Sequence, residues 1–159
     1  MGERGTYALV LHLGRQEEIT IGKLGTFVFP AGYYLYLGSA LGPGGLEARL
    51  ARHRRRGKRP RWHIDYLREH ARLVEVWSVA SGERLECLWA RAARKLPGAR
   101  IPVPGFGSSD CRCPSHLVHF ATKPSPALFA ERVRVPLQHF EVQQPPESSE
   151  LSGRSGDQL

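Results

Sequence analysis

The sequence predicts an α+β protein in which helices flank a small, mainly antiparallel β-sheet. In the first forty residues, short aromatic and apolar runs alternate with tight turns, which is typical of antiparallel strands. From Leu46 onward, apolar residues recur at helical spacing, interrupted by a further strand pattern. A chain of 159 residues that is 41% hydrophobic fits one domain, which we place at residues 1–142, followed by a tail at 143–159.

The predicted strands lie mostly in the first half of the chain. Residues 6–13 form the first, and residues 19–21 alternate apolar and polar side chains, as the return arm of a hairpin with it would. Residues 26–30 are a short extended piece. Residues 33–37 form an aromatic strand that we expect to stop at Gly38. Later extended segments are predicted at 73–80, 117–121 and 133–142.

The predicted helices follow from apolar spacing and cover residues 46–56, 63–71, 83–96 and a short turn at 126–132. The first places Leu46 and Leu50 on one face. The third has five residues at core spacing, namely Leu85, Leu88, Trp89, Ala92 and Leu96.

Two segments are predicted to lack regular structure. Residues 101–116 (IPVPGFGSSDCRCPSH) are rich in Pro, Gly and Ser, and loops longer than ~12–15 residues are often functional. Residues 143–159 have almost no apolar content, so we expect a disordered tail.

Positive charge is concentrated in one stretch. The net charge is +8, and eight Lys or Arg residues but no acidic residue lie between positions 49 and 61. Such clustering is typical of nucleic-acid binding, although an arginine-rich solvated surface is an alternative interpretation. The predicted nucleic-acid-binding residues are Arg52, Arg54, Arg55, Arg56, Lys58, Arg59 and Arg61.

The sequence does not indicate a membrane protein. No apolar run approaches the ~20 residues that span a bilayer, and the N-terminus lacks the layout of a signal peptide. We therefore expect a soluble, cytoplasmic monomer.

Five residues carry the groups that phosphodiester hydrolysis requires. Arg49 and His53 lie one helical turn apart, where they could clamp a phosphate and pass a proton. Tyr7 and Tyr36 lie on neighbouring predicted strands, and Glu86 lies in the first turn of a helix, where it could hold a divalent metal. Each also has a structural interpretation: core tyrosines, surface members of a basic helix, and a carboxylate favoured by the helix dipole.

The order of these residues resembles the GIY-YIG nuclease superfamily. Gly5-Thr6-Tyr7 and Tyr36-Leu37-Gly38 are similar to its paired GIY and YIG signatures, and the arginine, histidine and glutamate follow in the order used there. A fuller resemblance, over residues 5–120, is to the Uri-type branch, which is similar also in GYY at 32–34, GSA at 38–40, WHIDYL at 62–67 and GFGSSDC at 105–111. The linker at 8–35 is longer than in the minimal module, and a C-terminal asparagine of many such modules has no counterpart.

The resemblance implies a DNA endonuclease that uses one divalent ion, Mg²⁺ or alternatively Mn²⁺. Glu86 would hold the ion and Arg49 the scissile phosphate. Tyr7 or Tyr36 would accept a proton from the attacking water, with His53 assisting or replacing it. The DNA could be branched, flapped or damaged. The alternatives are a nucleic-acid-binding module of the same fold that does not cleave, and an accessory domain whose basic face meets a protein.

His63 and Asp65 are candidates for a supporting role. On a helix they lie about 200° apart, so we do not expect them to act together on one ligand. Asp65 is predicted to brace the basic helix and His63 to line the cleft.

Four further residues, Cys87, Cys111, Cys113 and His116, offer soft metal ligands. A C-x-C pair is atypical of structural zinc sites, so loop or buried thiols with a surface histidine are the favoured interpretation, and a zinc site is the alternative.

Overall fold

The computed structural model describes residues 2–109 and 111–142, so the predicted tail at 143–159 lies outside the described residues. The elements are β1 (Gly5–Leu13), β2 (Glu17–Ile21), a 3₁₀ turn (Gly22–Leu24), β3 (Gly25–Phe29), β4 (Gly32–Ala40), α1 (Gly45–Arg54), α2 (His63–Arg68), β5 (Arg72–Ala80), α3 (Glu86–Arg94), β6 (Leu117–Phe120), α4 (Pro126–Val133) and β7 (Gln138–Glu141). A five-stranded antiparallel sheet, a two-stranded sheet and flanking helices confirm the predicted α+β class. Within the described ranges, the helices are all too short or too polar to cross a bilayer.

The central strand of the main sheet is β1. The strand order is β6-β4-β1-β5-β7, and β1 pairs along its whole length with β4 and over most of it with β5. Every residue of β1 except His12 is buried. Burial on both faces explains why this strand is a continuous apolar run instead of an alternating one.

The predicted hairpin between the first strand and residues 19–21 is wrong. β2 pairs with β3 in a separate two-stranded sheet, because both edges of β1 are already occupied by β4 and β5. The β2–β3 hairpin still joins the core, since Ile19, Ile21 and Phe29 are buried with the apolar residues of α2. The residues between β1 and β4 therefore form a separate hairpin and do not interrupt the pairing of β1 with β4.

The predicted stop of the fourth strand at Gly38 is also wrong, because β4 continues to Ala40. Gly38 lies directly opposite Tyr7 of β1. A Cβ atom at Gly38 would lie 2.5 Å from the Tyr7 hydroxyl oxygen. The glycine is therefore needed for close packing of the tyrosine ring across β4, and it does not end the strand.

Helices cover both faces of the main sheet. α1 and α2 bury Leu50 and Leu67 on one face, together with the hairpin. On the other face, α3 and α4 bury Trp89 and Phe129, whose rings meet edge to face at 5.2 Å. Trp77 of β5 packs against Phe129 at 5.3 Å.

The buried face of α3 differs from the predicted one. The helix begins at Glu86 instead of residue 83, and Leu88 is 49% exposed. Ala90 and Ala93 are buried in place of Leu88 and Ala92. Small alanine side chains let the helix approach the sheet closely, so the bulky Leu88 is left at the rim.

Arg68 of α2 links that helix to the end of α1. Its side chain is buried and donates from Nε to the carbonyl of His53 at 2.9 Å, from Nη1 to that of Ala71 at 2.9 Å and from Nη2 to that of Arg54 at 3.3 Å. Two of these acceptors belong to the last turn of α1, where carbonyls lack partners within the helix. Burial lowers the pKa of Arg68 to about 10, which still leaves it charged at neutral pH.

Replacing Arg68 with methionine should lower the free energy of unfolding by about 2–4 kcal/mol, since the carbonyls of His53 and Arg54 lose their charged donor and that of Ala71 keeps only Arg56. Urea denaturation followed by circular dichroism measures the change. Arg55→Met, at an exposed position one residue beyond α1, is the control and should stay within about 0.5 kcal/mol of wild type. Equal stability of the two variants would contradict the linking role of Arg68.

Candidate functional site

One cavity of about 260 Å³ opens where β1, β4, α1 and the start of α3 meet. Four of the predicted catalytic residues line it, namely Tyr7, Tyr36, Arg49 and Glu86. The remaining lining residues are Gly38, Ser39, Leu41, Gly42, Trp62, Arg84 and Gly107. Residues from widely separated parts of the chain thus share one polar pocket.

His53, the fifth predicted residue, lies behind the cavity and not on the surface of α1. Its side chain is fully buried, and its Nε2 lies 2.8 Å from the Tyr7 hydroxyl oxygen. Burial lowers the pKa of His53 to about 3 and raises the pKa of Tyr7 to about 12, although Arg49 lowers the latter by a smaller amount. The Tyr7–His53 pair is therefore neutral at physiological pH.

Arg49 is held at the cavity wall by two contacts. Its Nη1 donates to the carbonyl of Ser39 at 2.7 Å, and its guanidinium lies 4.6 Å from the ring centroid of Trp62. A guanidinium has five N–H donors, so the contact with Ser39 leaves others for an anion in the cavity.

Three guanidinium groups lie against the ring of Trp62. Those of Arg49 and Arg52 each lie 4.6 Å from its ring centroid, and that of Arg61 lies at 5.3 Å. The buried carboxylate of Asp65 pairs with Arg52 at 2.5 Å and accepts from the backbone N–H groups of Arg61 and Trp62 at 2.7 and 2.9 Å. Asp65 therefore fixes the start of α2 and holds Trp62 beside the cavity. Arg52 is held there too, through its ion pair with Asp65.

Glu86, the first residue of α3, presents a carboxylate that is 18% exposed. Its Oε1 lies 3.3 Å from Nη1 of Arg84, an exposed side chain, and its Oε2 lies 3.6 Å from Nδ1 of His116. Burial lowers the pKa of His116, and the nearby Glu86 raises it by less. A single carboxylate beside a cavity with room for water fits magnesium, which keeps several waters and takes one or two protein carboxylates.

His63 holds residues 105–107 (GFG) against the cavity. Its Nδ1 accepts from the backbone N–H of Gly107 at 2.8 Å, and its ring packs on Phe106 at 5.5 Å. Gly107 has a φ of +71°, and a Cβ atom there would lie 2.9 Å from Cε1 of Tyr36. Contrary to expectation, His63 is not among the lining residues; it contacts Gly107, which is one of them, whereas Asp65 contacts Arg52.

The basic stretch after His53 lies at the end of α1 and in the connection to α2. Lys58 is partly buried, and the side chains exposed there are those of Arg54, Arg55, Arg56, Arg59 and Arg61. Arg54 lies over the ring of Phe140 at 5.6 Å, and Arg56 donates to the carbonyl of Ala71 at 3.2 Å. This basic surface adjoins the cavity through Arg61 and Trp62.

A second cluster of side chains meets beside Glu86. The ligand atoms of Cys87, Cys111, Cys113 and His116 all lie within 4.8 Å of one another. Nε2 of His116 is 3.3 Å from Sγ of Cys111 and 3.7 Å from Sγ of Cys87. His116 is only 1% exposed, so the expectation of a surface histidine is wrong.

A larger cavity of about 590 Å³ lies near β6 and α4, and its lining includes His119, Lys123 and Leu128. That lining contains no carboxylate, so it offers no acidic ligand for a divalent ion. The smaller cavity is therefore the better candidate site.

Two members of the site escaped the sequence analysis. The sequence places Trp62 only in the WHIDYL motif, yet three guanidinium groups lie against its ring; an aromatic residue within a basic run was the available signal. Arg84 precedes α3 in an irregular segment, where no periodicity marks it.

The fold and the site define an α+β domain with a polar, arginine-lined cavity. The chain belongs to the family described as Domain of unknown function DUF123, whose family model matches residues 6–136. That match includes the cavity and the cysteine cluster. No curated protein and no solved structure matches the chain.

Acidification should destabilise the protein through His53. The folded-state pKa is about 3 and the usual value is 6.5, so between these pH values the unfolded chain binds the extra proton and stability falls as the pH drops below 6.5. From pH 6.5 to 5 this residue alone should account for a loss of about 2 kcal/mol. Urea denaturation at pH 7 and pH 5 measures the loss.

The variant His53→Gln should lose correspondingly less stability over this pH range than the wild type. His70→Gln, which removes a solvent-exposed histidine paired with Glu17 at 2.9 Å, serves as the control and should keep the loss that is due to His53. The same pH dependence in His53→Gln as in the wild type would show that His53 is not the buried neutral group described here.

Proposed function

We propose that the protein is a metal-dependent DNA endonuclease of the GIY-YIG type, which hydrolyses a phosphodiester with one divalent ion. The observation that carries this proposal is that Tyr7, Arg49 and Glu86 line one cavity next to a basic surface. These residue types supply a proton acceptor, a phosphate clamp and a metal ligand. The register also supports it, since Tyr7 of GTY and Gly38 of YLG are direct partners.

Arg49 is the group that would bind the scissile phosphate. Its contacts with Ser39 and Trp62 fix the guanidinium before a ligand arrives, so little side-chain entropy is lost on binding. A fixed cation in a pocket stabilises negative charge that develops on phosphate oxygens more effectively than water does.

Glu86 would hold the divalent ion, with water and phosphate oxygens completing the shell. When bound, the ion stabilises negative charge on the phosphate and on the leaving oxygen. Arg84 pairs with the carboxylate of Glu86 at 3.3 Å, and Nδ1 of His116 faces it at 3.6 Å.

Tyr7 is a better candidate than Tyr36 for accepting the proton of the attacking water. Its hydroxyl contacts Nε2 of His53, so Tyr7 can pass its own proton to His53 while its oxygen takes one from water. The water oxygen then bonds to phosphorus as the bond to the leaving oxygen breaks. Asp65 and a phosphate bound at Arg49 would favour the protonated form of His53, whereas a divalent ion at Glu86 would oppose it.

Tyr36 has a different place in the cavity. Its ring packs edge to face on Phe106 at 6.1 Å and on His53 at 6.3 Å, and burial raises its pKa well above the usual value. These contacts suit a residue that shapes the wall and holds the His53 ring in place.

A nicking assay tests the activity. Supercoiled plasmid and branched or flapped DNA are incubated with Mg²⁺ or Mn²⁺ and, separately, with chelator; we expect cleavage with metal alone. Glu86→Gln should reduce cleavage by at least about 10²-fold, because it removes the charged metal ligand, and should leave DNA binding largely intact. Glu83→Gln, three residues earlier and exposed, is the matched control and should cut at the wild-type rate.

Wild-type cleavage by Glu86→Gln would overturn the mechanism. Metal-independent binding with no cleavage by the wild type on any of these DNAs would favour the alternative, a nucleic-acid-binding module that does not cut.

The basic surface should give DNA binding a steep salt dependence. Each neutralised phosphate adds about 0.9 to the slope of log K against log salt, so replacing both Arg55 and Arg59 with serine should reduce that slope by about 2. Fluorescence anisotropy with labelled DNA at several salt concentrations measures it. Arg91→Ser with Arg132→Ser changes charge by the same amount on α3 and α4, across the sheet, and should leave the slope unchanged. Equal slopes for all three proteins would instead favour a basic face that meets a protein.

A further inference from the structure

The cysteine cluster collects all the thiols of the chain. The sequence contains three cysteines, and Cys87, Cys111 and Cys113 meet at one point with His116. Cys87 lies in the first turn of α3, whereas the other three residues lie in or at the end of the loop before β6. Nothing in the hydrolytic site uses these thiols, so the cluster needs an explanation of its own.

We propose that these four residues bind one structural zinc ion. Three thiolates and one imidazole form a Cys₃His set, which is one of the standard tetrahedral donor sets for structural zinc. Soft sulfur donors disfavour magnesium and calcium, which prefer oxygen. With zinc bound, the cluster has a net charge of −1, beside Arg94, whose Nη1 donates to the carbonyl of Ser115 at 3.3 Å.

The distances between the side chains suit that geometry. Zinc–sulfur and zinc–nitrogen bonds of about 2.3 and 2.0 Å at tetrahedral angles place the nitrogen about 3.5 Å from each sulfur. Nε2 of His116 lies 3.3 Å from Sγ of Cys111 and 3.7 Å from Sγ of Cys87. All four ligand atoms lie within 4.8 Å of one another, so they are already gathered around one point.

The second nitrogen of His116 supplies an independent observation. The side chain is 1% exposed, and its Nδ1 has no hydrogen-bond partner among the described residues but faces Oε2 of Glu86 at 3.6 Å. A histidine that binds metal through Nε2 must carry its proton on Nδ1, and such protons are usually donated to a carboxylate. Zinc would therefore set the tautomer that directs an N–H at Glu86.

The ion would connect two segments that the backbone leaves separate. The described residues of the loop at 101–116 form turns and irregular structure but no helix or strand, and zinc would fasten the distal part of the loop to the first turn of α3. Because Glu86 precedes Cys87 directly, the same ion would also limit movement of the carboxylate. The zinc site does not depend on the proposed nuclease activity. Only the inference that zinc orients Glu86 for catalysis rests on that proposed function.

The test measures metal in the full-length protein, expressed with zinc in the medium and purified without chelator. Elemental analysis should find about one zinc per chain and no stoichiometric iron or copper. Native thiols should react slowly with a disulfide reagent, and a mercurial should release zinc in step with the three thiols it titrates. Ser109→Ala, in the same loop and exposed, is the control and should retain zinc.

Cobalt(II) substitution identifies the ligands. The wild-type protein should show the intense visible absorption of tetrahedral cobalt and thiolate-to-metal charge-transfer bands. Cys113→Ser should lose about a third of the charge-transfer intensity if it still binds cobalt, or lose zinc altogether while wild-type protein prepared in parallel retains it. His116→Asn should keep the thiolate bands and bind zinc at least about 10-fold more weakly, since one ligand is weakened.

Several results would overturn the zinc site: less than about a tenth of an equivalent of zinc with three freely reactive thiols, iron in place of zinc, or a disulfide between Cys111 and Cys113. None of these results depends on cleavage of DNA, so the zinc site and the nuclease activity can fail separately. If both hold, loss of zinc should raise the Mg²⁺ concentration for half-maximal cleavage more than it lowers the maximal rate, because Glu86 then becomes less well positioned.

Discussion

The register of β1 against β4 determines where every group of the cavity lies. Tyr7 lies opposite Gly38, and the absence of a side chain there lets the tyrosine ring cross the neighbouring strand and meet His53 of α1. A slip of one residue would turn Tyr7 to the opposite face of the sheet, among the side chains of α3 and α4. Pairing of β1 with β4 along its whole length, and with β5 over most of it, makes such a slip costly, and the β2–β3 hairpin leaves that pairing intact.

The contacts around Trp62 stabilise a local concentration of positive charge. Three guanidinium groups share one indole, and mutual repulsion would separate them in the absence of compensation. The buried carboxylate of Asp65 supplies the opposite charge, and the negative face of the ring attracts the cations. Arg49 can therefore remain at the cavity wall with donors to spare, while the exposed arginines beyond α1 create a favourable approach for a polyanion.

The sequence was sufficient for what depends on local pattern. Periodicity predicted the strands and helices and the α+β class, and the order of Tyr7, Arg49 and Glu86 anticipated residues that line one cavity. The pairing of strands was harder to predict, because a short alternating run does not specify its partner. Residues 19–21 were therefore paired with β1 in the prediction, whereas they pair with β3. Gly38 looked like a strand end, since glycine usually weakens strands, and only the Tyr7 ring explains it. The burial of His116 follows from the contact of the loop with α3, which spacing alone cannot reveal.

Trp62 also gives the protein an optical property. The chain has three tryptophans, of which Trp77 and Trp89 are fully buried in the opposite layer, while Trp62 is partly exposed at the cavity. A soluble iodide ion can collide with the indole of Trp62 and not with the other two. The quenchable fraction of the intrinsic fluorescence thus originates from the cavity mouth, and an occupant of the cavity would shield it. Ligands without any label can accordingly be followed by emission from the native chain.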